Sequence, residues 1–302
     1  LAAIALGYVT GKVYPAPPLD AAIPVALFLM LFPAMLEVSL AGIRTVFLAP
    51  VLLVGSLVLN FFVSPLLMFG ILHAIPTQNE AYLTVGMTLY STVPCGGLVP
   101  VYTGMLNGNV GLAVTITAAS LLLSLGIVPL WITALIGTMV PVPPMLIFTY
   151  LAGIIIIPLT LALVTRTIVV RRRGEQAFSI LKERMKVLSS CGLLLFLFVM
   201  SLLHGDRVVN QPVLVLRIAL VVSVFMAVLA AASGILGKAL HSRPEDIVAF
   251  KISTAAKNNA VALALAYSAF GADAALVNAI SGPLVQLPIL LGCIAVWRSF
   301  RG

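Results

Sequence analysis

Charge is scarce in this chain. Asp, Glu, Lys and Arg together make up 9% of its 302 residues, against roughly 25% in soluble domains, which excludes an ordinary cytosolic enzyme, a disordered tail and a nucleic-acid binder. Cysteine is scarce too. Cys95, Cys191 and Cys293 lie far apart inside apolar segments, without the even count of a disulfide framework or a CxxC metal pair, and no metal site or cofactor is expected. The three histidines, His73, His204 and His241, fall at segment ends or in loops. A helical HExxH, a pair of mid-membrane aspartates and a Ser/His dyad are all missing, so an intramembrane enzyme lacks its constellation. A signalling receptor would need a soluble output domain, and the chain has none between its apolar runs.

Apolar residues supply what is there: 62% of the sequence. Nearly every run is about 18 to 28 residues long, the length a helix needs to cross a ~30 Å hydrocarbon core, and none alternates like a barrel strand. The expected class is an all-α polytopic membrane protein. Breaking the chain at charges and Pro/Gly clusters leaves ten segments: 1–13, 21–38, 46–74, 81–105, 110–137, 145–170, 187–204, 213–238, 247–270 and 272–300. The first is too short to span, so an incomplete first helix is expected, and no cleavable signal peptide is recognisable. The seventh is also short.

The excess of basic over acidic residues, a net +8, orients the chain. Arg171, Arg172, Arg173, Lys182, Arg184 and Lys186 join segments six and seven and should be cytoplasmic by the positive-inside rule. Alternation then puts Arg44, Lys238, Arg243, Arg298 and Arg301 on the same side with both termini. Lys12, Arg207, Asp20, Glu80, Asp206 and Asp273 fall opposite. The stretch Glu175 to Lys186 reads equally as a short interfacial helix or as a solvated loop. Lys251 and Arg217, near segment ends, can snorkel, and Glu37 is placed at the interface.

Segments four and nine each break at mid-length, at Val93-Pro94-Cys95-Gly96-Gly97 and at Ala256-Lys257-Asn258-Asn259. Segments two to five are offset from seven to ten by a nearly constant interval of roughly 165 residues, the mark of an internal repeat. Because five is odd, two five-helix halves must insert with opposite orientation, as in many secondary transporters whose broken helices form the substrate site. Repeat one is assigned to 1–140 and repeat two to 141–302, in a single transporter unit.

Pro94 removes a donor and Gly96 and Gly97 permit unusual dihedrals, releasing polar backbone that lipid cannot satisfy. Cys95 is expected just before the second half of helix four, where a thiolate would offer a soft ligand; Cys191 and Cys293 read as inert buried cysteines. Lys257 costs about 2.5 to 3.5 kcal/mol at mid-helix on insertion scales, and lies too deep to snorkel, so it should face an interior cavity with Asn258 and Asn259. Asn60, Thr115, Thr117, Ser120, Asn278 and Gln286 read mostly as interhelical glue.

Together these residues resemble the arsenical-resistance arsenite permeases. The resemblance rests on Thr254-Ala255-Ala256-Lys257-Asn258-Asn259 and the Ala260 to Ala266 run behind it, on Gly282 to Pro288, on Pro94-Cys95, on Leu31 to Val38 and on Leu216 to Ala219. That family belongs with the bile acid:sodium symporters. The resemblance implies ten helices in two inverted five-helix repeats, with a panel domain and a core domain carrying crossed broken helices four and nine. It implies efflux of arsenite or a related metalloid across the cell membrane, with Cys95 as the thiol that handles trivalent arsenic, and Pro94, Gly96, Gly97, Asn258 and Asn259 around the substrate. Lys257, Thr254, Gln286, Thr115 and Thr117 would serve the coupling ion, proton or sodium, or the gate. The chain departs from the permeases at Val261 and Gln286, where glutamates would be expected, and from the symporters at Thr254, where a sodium-coordinating glutamate would be expected, and at Lys257. A carrier of small organic anions is the alternative, with Lys257 and two half-helix N-termini as a positive focus.

Overall fold

The computed structural model describes residues 2–13, 22–36, 50–75, 81–137 and 143–299. The expectations for Asp20, Glu37, Arg44, Glu80 and Arg301 lie outside these residues, as do those for the side chains of Arg207 and Arg298. The described residues are helical throughout apart from short connections. In order they are α1 (Ala2–Val13), α2 (Ala22–Leu36), α3 (Pro50–Val58), α4 (Ser64–Ala74), α5 (Ala81–Thr92), α6 (Val99–Met105), α7 (Val110–Ile136), α8 (Pro144–Asn210), α9 (Pro212–Ala239), α10 (Pro244–Ala255), α11 (Asn259–Phe270), α12 (Ala272–Ala279) and α13 (Leu287–Ser299). Two π-helical stretches, Leu59–Val63 and Ile280–Gln286, join α3 to α4 and α12 to α13.

Among the described residues, five stretches are long and apolar enough to cross a bilayer: Val51–Ala74, Val110–Ile136, Pro144–Asp206, Pro212–Ala239 and Ala272–Val296. Large apolar side chains stand exposed around the perimeter, Leu216 and Ile235 at 70% and Leu130 at 68%. Such a surface fits hydrocarbon and not water. The chain is a multi-pass membrane protein.

Each of the ten expected segments carries helix among the described residues, with one difference. The seventh is not short: α8 continues through the basic stretch, bent at Gly174 (φ 81, ψ 169), a left-handed backbone that glycine adopts without a Cβ clash. Glu175 to Lys186 is therefore helix, pinned at the bend by Phe178, which is buried beneath Arg166 and Lys182. Gly271 (φ 83) plays the same part between α11 and α12.

Packing sorts the helices into two groups. α1 and α2 lie along the second part of α8, so close that a Cβ on Gly7 would meet the Phe198 carbonyl and one on Gly192 the Met30 nitrogen. Ser189 Oγ donates to Met30 O (3.0 Å) and Ser201 Oγ to Ile4 O (2.8 Å) across the same seam. Close small-residue contact with hydroxyl donors is how membrane helices associate where lipid offers no hydrophobic drive. The remaining helices pack around α5, α6, α10 and α11; Asn109, the N-cap of α7, also donates to Asp246 of α10 (2.7 Å).

Candidate functional site

The two interrupted segments meet at their interruptions. Cys95 and Lys257 face each other in an isolated antiparallel bridge, closed by Gly96 N–H donating to Ala256 O (2.9 Å) and Asn258 N–H donating to Pro94 O (2.9 Å). Four backbone groups that lipid could not satisfy are thus paired protein to protein. A Cβ on Gly96 would stand 3.1 Å from Lys257 O, so the glycine admits the close approach.

In this bridge the N–H and C=O of Lys257 point away from the Cys95 strand, and Gln286 takes both. Its Oε1 accepts from Lys257 N–H (2.9 Å) and its Nε2 donates to Lys257 O (3.0 Å), so the side-chain amide stands in for a third strand. Tyr90 OH donates to the same Oε1 (2.6 Å) and fixes the amide's orientation. An ionised glutamate at 286 could accept from the N–H but could not donate to the carbonyl. The chain's departure from the resembled permeases at this position has that structural correlate.

Lys257 is 1% exposed. Its ammonium donates to Asn60 Oδ1 (3.0 Å) and to the Asn60 backbone O (3.3 Å). Asn60 sits in the first π-helical stretch, where the changed register frees a carbonyl from its usual helical partner. Its amide nitrogen is tied to Ser56 O (3.0 Å) and Ser253 O (3.1 Å), which turns the oxygen toward the lysine. Each π-helical stretch therefore carries one residue that holds Lys257. Asn60 reads from sequence as interhelical glue, and nothing local marks the bulge there; Gln286 belongs to the group expected at the coupling ion or gate, with the proline pair around it as the signal. Tyr90 and Ser56 carried no signal.

A cavity of about 150 Å³ opens beside the bridge, between the two helix groups. Met30, Ala34, Ser189 and Ser190 line one wall, and Gly96, Gly97, residues 256–260 and Gln286 the other. Asn258 caps α11, its Oδ1 accepting from Val261 N–H (3.1 Å). Asn259 occupies space that only Gly282 leaves open, and its Oδ1 is buried without a hydrogen-bond partner. Of the expected substrate group, Gly96, Gly97, Asn258 and Asn259 are brought to the cavity together with Lys257 and Gln286; Pro94 and Cys95 are not among its lining.

Cys95 is fully buried, and its Sγ points to α7, donating to Thr117 Oγ1 (3.4 Å) and lying 3.2 Å from Ser120 Oγ. It is also not at a helix start, since the Gly96-Gly97 turn places the first residue of α6 at Val99. Thr117 thus contacts the thiol, whereas Thr115 donates to Gly111 O and Thr254 to Phe250 O, each within its own helix. Cys191 and Cys293, expected as buried, are both exposed; an apolar run presents every face in turn, and theirs turn outward.

The sequence model of the Sodium Bile acid symporter family matches residues 24–211, and the chain belongs to that family. Over 98% of its length it is 25% identical to a protein described as an uncharacterized transporter of Synechocystis sp., of which it covers 85%. It is 25% identical over 90% of its length to the arsenical-resistance protein Acr3 of Corynebacterium glutamicum, covering 76% of that chain. The Acr3 of Alkaliphilus metalliredigens is 24% identical over 99% of the present chain, with 90% of its own length covered.

Proposed function

We propose that this member of the Sodium Bile acid symporter family exports arsenite or a related trivalent metalloid across the cell membrane by alternating access. The architecture we assign to it is two inverted five-helix repeats, 1–140 and 141–302, with both termini cytoplasmic. One observation carries the transport reading: two broken helices crossing at a hydrogen-bonded bridge beside a cavity that separates two helix groups. Broken helices that meet beside a cavity are what substrate sites of secondary transporters are made from. Asn258, Asn259, Lys257 and Gln286 on the cavity wall support a polar ligand there. The arsenical-resistance proteins among the relatives, and Cys95 at the bridge, support the metalloid.

In this reading the Asn pair and the Gly96-Gly97 backbone hold the substrate, and Cys95 meets it in the alternate conformation, when α5 and α6 shift against α7 with Thr115 and Thr117. Lys257 takes the place of a coupling cation: its ammonium sits on two neutral oxygens of Asn60, as a bound monovalent cation would, with Thr254 and Gln286 alongside. Exchange of its proton for substrate would supply coupling without carboxylates at 261 and 286. Expression in an arsenite-sensitive host should lower accumulated arsenic, and Cys95→Ser should abolish that effect with little loss of folded protein. Full arsenite transport by Cys95→Ser would return the cysteine to a packing role.

A carrier of small organic anions is the second reading, favoured by the turning of the Cys95 thiol away from the cavity. Uptake of arsenite and of small carboxylates, each with and without sodium, separates the two.

A further inference from the structure

A second concavity lies at the bend of α8, far in sequence from the bridge and walled by both sides of Gly174. It measures about 410 Å³ and is lined by Arg172, Arg173 and Arg184 together with Ile168, Ile180 and Leu181. We propose that it binds the phosphate headgroup of an anionic phospholipid of the bilayer leaflet on the side of this loop, with the first acyl carbons against the isoleucines and leucine.

Charge accounting supports this occupant. The acidic residues of the bend are engaged elsewhere: Glu175 with Arg166 (3.4 Å) and Glu183 with Lys186 (2.6 Å). The three arginines of the concavity have no carboxylate partner among the described residues, so it carries uncompensated positive charge. Guanidinium groups suit phosphate oxygens, which they can bond in pairs.

Depth supports it as well. At 1.5 Å per residue the helix from Pro144 to Arg173 is roughly 45 Å long, longer than a ~30 Å hydrocarbon core but close to the ~40–45 Å that includes the headgroup layers. With its apolar beginning in the far leaflet, Ile168 falls near the edge of the acyl region and Arg172 and Arg173 at headgroup level. An apolar floor under a cationic rim at that depth matches a lipid, whereas a free anion would have no use for Ile168, Ile180 and Leu181. Phe178, buried under Arg166 and Lys182, is not among the residues that line the concavity.

The test uses the full chain, purified in detergent. Wild type should retain phosphatidylglycerol over phosphatidylcholine from a mixed extract and show a raised melting temperature on adding phosphatidylglycerol micelles. At the general scale of juxtamembrane basic residues, Arg172→Gln/Arg173→Gln/Arg184→Gln should lower retention on the order of a hundredfold and lose the thermal shift. Arg171→Gln, one residue outside the lining, should keep both, which controls for net charge against each single variant of the lining. Each single Arg→Gln variant gives a graded loss should the triple variant fail to fold. Equal loss in Arg171→Gln would overturn the site in favour of diffuse charge. Equal stabilisation by inorganic phosphate alone would overturn the lipid, and so would undiminished retention by the variants. None of these outcomes bears on arsenite export.

Discussion

The two interruptions that meet at the bridge are made by different chemistry. In the first, the residues break the helix themselves: Pro94 cannot donate, and Gly96 and Gly97 turn the chain within four residues before Val99 resumes it. In the second, Ala255, Ala256 and Lys257 have no intrinsic reason to leave a helix, and α10 stops because distant groups hold it open: Gln286 on the backbone of Lys257, Asn60 on its ammonium, Asn258 as the new N-cap. A break written into the backbone is local and robust. A break held by partners is conditional, and a conditional break can respond to a change in charge.

That contrast is sharpest at Gln286. Gln286→Leu would leave Lys257 N–H, Lys257 O and Tyr90 OH buried and unpaired, and at about 1–3 kcal/mol per orphaned group the loss should be on the order of 4 kcal/mol. Unfolding monitored in detergent would measure it, and a loss below about 1 kcal/mol would mean that the second break does not depend on this amide. Gln286→Glu should fall between wild type and Gln286→Leu.

Lys257→Met comes next. It keeps the length and removes the charge, so proton-driven exchange should disappear while downhill substrate exchange persists. Equal pH-gradient-driven transport in wild type and Lys257→Met would rule out the coupling role.

Removal of the cap is a smaller perturbation. Asn258→Ala should cost about 1 kcal/mol of stability, the usual scale of an N-cap, seen as a modest fall in melting temperature. Gly282→Ala would put a Cβ within 2.3 Å of Asn259 Cγ and should displace that side chain from the cavity, lowering transport more than stability; the reverse ordering would make Asn259 a packing residue.

The smallest structural effect belongs to the first break. Cys95→Ser keeps a small hydroxyl against Thr117 and Ser120, so unfolding should change by less than about 1 kcal/mol whatever happens to arsenite. Cys191→Ser and Cys293→Ser, on the exposed perimeter, should leave arsenite export unchanged. For the frame that holds both breaks, reporter fusions after Arg173 and after Arg243 should read cytoplasmic, and an external signal after Arg173 would sink the ten-helix topology.

The difference between the breaks also explains what could be read from residues alone. Ten apolar runs, the Pro94 to Gly97 interruption and the depth of Lys257 were legible because length, proline, glycine and burial cost act locally. The partners of Lys257 were not. Asn60 lies 197 residues away along the chain, in a π-bulge that apolar Leu59, Phe61 and Phe62 do nothing to announce. Glu175 to Lys186 stayed open because a charged amphipathic stretch of a dozen residues suits helix and loop alike, and nothing in the sequence announced the bend at Gly174. The direction of the Cys95 side chain depends on how α5 and α6 sit against α7, and no spacing rule encodes that.

The crossed bridge carries a consequence for biosynthesis. Pro94 O and Gly96 N–H find their partners only in residues 256 and 258, which leave the ribosome some 160 residues later. At roughly 5–20 residues per second that is a wait on the order of 10–30 s. During that interval the stretch between α5 and α6 holds amide and carbonyl groups without these partners, groups that lipid could not satisfy. The first half must therefore be kept wet, or sheltered by the insertion machinery, until the second half arrives, and the last third of the chain completes the first.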